Sequence, residues 1–81
     1  MEVNPNPFEE NLKITYHHSL DQEVRIRVVT PIGKVLYDQT FDEKEGELSL
    51  DASSIPAGLL YVLGQSADEQ QLAVKKVAKL R

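Results

Sequence analysis

From Glu23 to Val28 the sequence alternates without a break: Val24, Ile26 and Val28 against Glu23, Arg25 and Arg27. A period of two puts the three apolar side chains on one face of an extended strand and both arginines on the other. The same pattern recurs along the chain. Leu12, Ile14 and Tyr16 alternate with Lys13, Thr15 and His17. Val35, Tyr37, Gln39 and Phe41 fall on one face of a later strand, with Leu36 on the other, and Leu48 and Leu50 mark a short one. Runs of this kind, about 10–12 residues apart with turn chemistry between them, are the signature of an all-β sandwich or barrel. The arginine pair on the outer face is read as structural, facing solvent or a nearby acid, rather than as a ligand site.

The segments between the runs carry turn residues. Val3 to Phe8 reads Val-Asn-Pro-Asn-Pro-Phe, and two prolines two apart exclude a helix and leave an extended segment. Phe8, one of two Phe in the chain, is expected to plug one end of the core. Glu9 to Asn11 and Ser19 to Gln22 read as polar turns. In Thr30-Pro31-Ile32-Gly33-Lys34, Pro31 suits the second turn position and Gly33 a left-handed one. Asp42 to Gly46 reads as a charged loop ended by glycine. Asp51 to Ser54 is expected to form one turn, because Asp and Ser side chains compete for nearby backbone donors. Then Ile55-Pro56-Ala57-Gly58 makes a corner that aims Leu59 to Val62 straight into the interior, at the start of a strand over Leu59 to Gly64. Pro56 fixes one φ there and Gly58 takes positive φ without a steric penalty. Ser66 to Gln70 is a further polar turn.

The last segment, Gln71 to Arg81, carries two conflicting signals. Leu72, Val74 and Leu80 suit a strand, while Ala73, Val77 and Leu80 suit helical spacing. Gln, Ala, Lys and Leu favour a helix on propensity. We read it as a strand, because a terminal strand closes an edge that otherwise stays unpaired. With a short strand near Val3 the count is seven.

Eighty-one residues make one domain. A chain this short buries only about 60–65% of its unfolded surface. It has no Cys, so neither disulfides nor thiolate metal sites can compensate. No apolar run approaches the ~18 residues of a membrane span, and no basic-then-apolar opening suggests a secretory leader within these residues. Met1, directly before a β-like segment, is expected to be a start placed on a piece of a longer protein. Net charge is −4 and unevenly spread: all thirteen acids precede residue 75, and the last seven residues hold Lys75, Lys76, Lys79 and Arg81. Four end charges without aromatics make a weak phosphate footprint, so no nucleic-acid partner is expected.

Catalytic chemistry finds no foothold. His17 and His18 are adjacent, so on a strand they point to opposite faces and cannot chelate one metal. Gly33-Lys34 lacks the spacing of a phosphate loop. The acids are scattered over turns and outward positions, which does not make a carboxylate pair. We therefore expect no enzyme, no metal, no cofactor and no small-molecule substrate.

Four motifs stand in order: Asn4-Pro5-Asn6-Pro7-Phe8, Gly33-Lys34-Val35-Leu36, Ser54-Ile55-Pro56-Ala57-Gly58 leading into a strand, and Lys75-Lys76-Val77-Ala78-Lys79-Leu80. Together they span nearly the whole chain, and their order resembles the C-terminal sorting domain of proteins exported by the type IX secretion system of Bacteroidetes-type bacteria, the Por secretion tail family. The resemblance implies a seven-stranded, antiparallel, immunoglobulin-like β-sandwich at the end of a larger cargo protein. It implies a single sorting domain over 1–81, read by an outer-membrane translocon and usually removed by a sortase-like peptidase. The cargo would pass the periplasm and reach the cell surface or the medium. The family's translocation signal carries over to Lys75, Lys76, Val77, Ala78, Lys79, Leu80 and Arg81. Asn4, Pro5, Asn6, Pro7, Phe8, Gly33, Lys34, Pro56, Ala57 and Gly58 carry over as structural motif residues. The chain departs from the pattern where the family has an aromatic two residues after the corner glycine. Here that place is Leu60, and Tyr61 follows. Gly64 stands where a β-branched residue is expected, and Arg81 replaces a plain apolar-Lys ending.

Two other classes of function fit a small β domain. One is an accessory carbohydrate- or adhesion-binding module, which needs an exposed aromatic platform. Its candidates are Phe8, Tyr16, Tyr37, Phe41 and Tyr61, most of them at core-facing positions. The other is a module that pads or dimerises its parent through an edge strand.

Overall fold

A computed structural model describes residues 1–5, 7–17, 23–66 and 71–80. Seven strands form: β1 (Glu2–Asn4), β2 (Asn11–His17), β3 (Val24–Val29), β4 (Val35–Phe41), β5 (Glu45–Asp51), β6 (Gly58–Ser66) and β7 (Gln71–Lys79). One sheet has the order β1-β2-β5 and the other β4-β3-β6-β7, and all strand pairs are antiparallel. The expected turn at 19–22, residues 67–70 of the turn expected from Ser66, and His18, Asn6 and Arg81 lie outside the described residues, while Ser66 itself ends β6 and is buried.

Alternation sets the core. From the three-stranded sheet Leu12, Ile14 and Tyr16 point inward, and from the other Val24, Ile26, Val28, Leu60, Val62 and Val77. All belong to one buried cluster, so the two sheets share a core. Each fully buried aliphatic side chain of this size contributes about 1.5–3 kcal/mol. Phe8 is 1% exposed and closes one end beside Ala52 and Ile55, as expected of a plug.

The β3–β4 connection follows its turn chemistry. The Gly33 amide donates to the Thr30 carbonyl at 2.9 Å, the Thr30 amide to the Lys34 carbonyl at 2.9 Å, and Gly33 has φ 89°. The return strand corrects one expectation. Register shifts between Val28 and Val29, so Val29 faces Val35 while Val28 faces Tyr37. Leu36 is the extra residue of this bulge. It reverses the alternation, turning Val35 outward (47% exposed) and packing Leu36 against the core.

A second correction concerns Gly46. It does not end a loop but sits inside β5, directly opposite Tyr16. A Cβ at this position would lie 2.6 Å from the Tyr16 hydroxyl oxygen. The strand continues here because the missing side chain lets the Tyr16 ring lie across it. That ring packs against Phe41 with centroids 5.2 Å apart, tilted by 40°.

The outer faces differ. On the three-stranded sheet, register places Glu2, Asn4, Asn11, Lys13, Thr15, His17, Glu45, Glu47, Ser49 and Asp51 outward, with no apolar residue among them. Lys13 and Glu47 pair across it at 3.2 Å. On the four-stranded sheet Leu59, Tyr61 and Leu63 point outward, opposite Ala78, Lys76 and Val74 of β7.

Candidate functional site

The basic tail is a strand, as the edge argument required. β7 pairs with β6 from Gly58↔Lys79 to Gln65↔Gln71 and is last in its sheet. Pairing beats helix propensity here because β6 offers a ladder along most of its length, broken by one register shift after Gly64, and an apolar face for Val77 to bury against.

Register sorts the tail residues. Val77 lies opposite Leu60 on the inner face and is 2% exposed. Lys79 shares that face, opposite Gly58, and is 9% exposed. Its ammonium donates to the Ile55 carbonyl at 2.6 Å. The tail's last lysine therefore fastens the corner. The lysine satisfies a carbonyl that the turn into β6 leaves without a ladder partner. Lys75 and Lys76 are exposed, as is Leu80, at 45%. Ala78 is half-buried.

Lys75, Lys76 and Val77 form one wall of an open groove of about 370 Å³, and Glu2, Val3 and Asn4 of β1 form the other. The groove runs between the edge strands of the two sheets. Along its β7 wall, register turns Lys75 to the inner face with Val77 and Lys76 to the outer face of the sheet.

Beyond Val77, β7 is met from its outer edge by Phe8. The Phe8 amide donates to the Ala78 carbonyl at 3.0 Å, and the Leu80 amide donates to the Phe8 carbonyl at 2.8 Å. This is a parallel bridge between Phe8 and Lys79. Sequence reasoning missed the link, because a bridge across about seventy residues leaves no local signal; the two apolar-flanked motifs at the chain ends were the only hint. Asn4 ends β1, Pro5 and Pro7 are exposed, and the Asn4–Pro5 bond is cis.

The corner's backbone has the expected construction, but of Leu59 to Val62 only Leu60 and Val62 point inward, while Leu59 and Tyr61 face out. Ala52 to Ser54 form one 3₁₀ turn, and the Asp51 carboxylate accepts from the Ser53 amide at 2.9 Å. Hydrogen bonds from Ser53, through its amide first and its hydroxyl second, hold the Asp51 carboxyl below the usual aspartate range. Pro56 and Ala57 are exposed, and Gly58 has φ 127° with no atom near where a Cβ would stand. Its glycine is a backbone requirement alone. The chain's departures also find places. Leu60 is buried, and Tyr61, one residue on, faces outward. Shifting an aromatic by one residue on a strand moves it to the other face. Gly64 is buried, and a Cβ there would sit 3.8 Å from the Met1 sulfur, an ordinary contact.

Gly33 and Lys34 lie in the β3–β4 turn, both exposed, and the Lys34 amide donates to the Thr30 hydroxyl at 3.0 Å. On the outer face of β3, Arg25 makes a two-pronged pair with Asp38, Nε to Oδ1 at 2.7 Å and Nη2 to Oδ2, while Arg27 Nη2 donates to Gln65 Oε1. The hydrogen bond from Arg25 is the main cause of a lowered Asp38 carboxyl. Among the described residues no three His, Asp or Glu side chains gather as a metal site would require.

The motif order, the seven strands and the edge position of a basic last strand meet in one comparison. The model of the secretion system C-terminal sorting domain matches residues 2–79. The chain belongs to this family, the C-terminal sorting domains of type IX secretion. Neither the curated proteins nor the solved structures compared with it contain a match. As a sorting domain it marks a fused cargo for the type IX machinery and for export across the outer membrane to the cell surface.

Proposed function

We propose that the secretion machinery reads this domain through β7 and the groove beside it. The translocon partner presents carboxylates to Lys75 and Lys76 and adds backbone hydrogen bonds at the sheet edge, the mode by which extended segments join a sheet. Val77 and Lys79 act from inside: one anchors the strand in the core and the other ties it to the corner. The supporting observation is the place of the family's signal segment, on an edge strand with two lysines on an open groove. The cargo is fused at the N-terminal side, passes the periplasm, and is released or retained at the surface after a sortase-like peptidase cuts upstream of β1. The three-plus-four strand order also supports an immunoglobulin-like sandwich in which the fourth strand joins the β3-β6-β7 sheet rather than β1-β2-β5.

The test fuses residues 1–81 to a reporter in a bacterium that has this system. Lys75→Glu with Lys76→Glu should cut export at least about tenfold while the purified domain keeps its thermal midpoint, since both positions are exposed. Removing residues 75–81 should abolish export. Unchanged export after either alteration overturns the proposal. The accessory-module reading has less to draw on, because of its aromatic candidates only Tyr61 points outward from a sheet, and it is half-buried.

A further inference from the structure

We propose that the outer face of the four-stranded sheet is a docking surface for a protein whose own surface is apolar and bordered by carboxylates. It shares Lys76 with the β7 reading but rests on the apolar strip beside that lysine.

Its basis is the contrast between the two outer faces. Leu59 is 38% exposed, Val74 42% and Val35 47%, and all three share one face with half-buried Tyr61 and Leu63. Leu63 stands directly opposite Val74, and Val29 beside Tyr61 carries the strip on to Val35. Among the described residues the opposite outer face has no apolar side chain. A sheet that needs only to be wetted alternates polar outward, as that one does. A contiguous aliphatic strip on one face of a small domain marks an interaction site.

Charge selects the occupant. Arg25, Arg27 and Lys76 lie on this face against one acid, Asp38. The other outer face holds Glu2, Glu45, Glu47 and Asp51 against Lys13. The molecule is net −4, yet its apolar strip lies within its basic field. A second copy docking face to face would bring like charges together over the strip. An anionic bilayer attracts basic residues near its surface, but it would be opposed by the net negative charge of the rest of the domain. A protein surface with apolar centre and acidic border matches both features locally.

The test is a nuclear magnetic resonance titration of the 81-residue chain with an amphipathic peptide of leucine and glutamate. Its counterpart of leucine and lysine, phosphatidylglycerol vesicles and a dilution series serve as the other arms. Shifts should centre on Leu59, Leu63 and Val74, with affinity for the glutamate peptide at least about tenfold above that for the lysine peptide. Leu59→Gln with Val74→Gln should remove at least about tenfold of that affinity without lowering the melting temperature, because both side chains are already exposed. The proposal is overturned by shifts that centre on Ser49 and Thr15, by equal response to both peptides, by no response, or by a face that answers only to vesicles or to a second copy. None of these arms depends on export, so failure here is distinct from failure of the β7 reading.

Discussion

Two glycines in neighbouring sheets carry opposite consequences. Gly46 leaves room for the Tyr16 ring, and a methyl there would stand 2.6 Å from the hydroxyl oxygen and 2.8 Å from the ring carbon bearing it. The ring cannot swing away cheaply, because it is 5% exposed and packed on Phe41. Gly46→Ala should therefore cost about 1–3 kcal/mol, the range for overpacking a tight core. Gly64 is also buried in a strand, but an added methyl meets nothing closer than 3.8 Å. Gly64→Ala should stabilise by about 0.4–1 kcal/mol, chiefly by restricting the unfolded chain. Urea midpoints of the two variants against the parent check both signs, and a shared sign would refute the account. Lys79 is the third informative position. Lys79→Met keeps the stem and removes the ammonium from the Ile55 carbonyl, at a cost of about 1.5–3 kcal/mol. Its effect on export should follow its effect on stability, unlike that of Lys75 or Lys76.

At the scale of elements, β7 depends on both ends of the chain. β6 supplies the ladder, and Phe8 clamps Ala78 and Leu80 from the other side. Phe8→Leu should loosen the clamp by shrinking the plug that positions its backbone. Amide exchange should then rise more at Leu80, which donates to the Phe8 carbonyl, than at Val28 in the central strand β3. Equal change at both amides would mean that Phe8 acts on the whole fold only. The physical point is that a strand of strong helix formers is held as a strand by partners on two sides, so it should be the first to respond when one partner weakens.

For the whole molecule, titration bounds stability at both ends of the pH scale. Asp38 and Asp51 are held below the usual aspartate range in the fold, by Arg25 and by Ser53 respectively. A lowered carboxyl contributes stability above its unfolded value, and that contribution is lost as pH falls through the folded value. Burial raises the Tyr16 hydroxyl, with Glu43 and Asp42 adding to it, and burial raises Tyr37. A raised phenol contributes below its unfolded value and is lost as pH rises through the folded one. The melting temperature should thus form a plateau that declines below about pH 4 and above about pH 10. Asp38→Asn should flatten the acid limb and Tyr16→Phe the alkaline limb. A limb that keeps its slope in its variant would remove that group from the account.

The sequence by itself determined the strands, the turns at Thr30–Lys34 and at Ile55–Gly58, and the family. Period-two alternation names Leu12, Ile14, Val24, Ile26 and Val28 as core because a strand has only two faces. Pro31, Gly33, Pro56 and Gly58 locate turns because their backbone limits are intrinsic to the residues. Four motifs in order were enough to indicate a sorting domain. Wherever two strands must meet, local reading ran out. Val35 and Leu36 exchanged faces because the bulge against Val28 and Val29 is a property of the pair. Gly46 read as a loop end because Tyr16, thirty residues away, supplies the reason for the missing side chain. In the tail, charge marked Lys75, Lys76 and Lys79 alike. Register turned Lys76 to the outer face and Lys75 and Lys79 to the inner one, and packing then left Lys75 exposed by the groove while Lys79 holds the corner at Ile55. Charge is written in the chain; which charges face a partner is decided by what the rest of the chain packs against them.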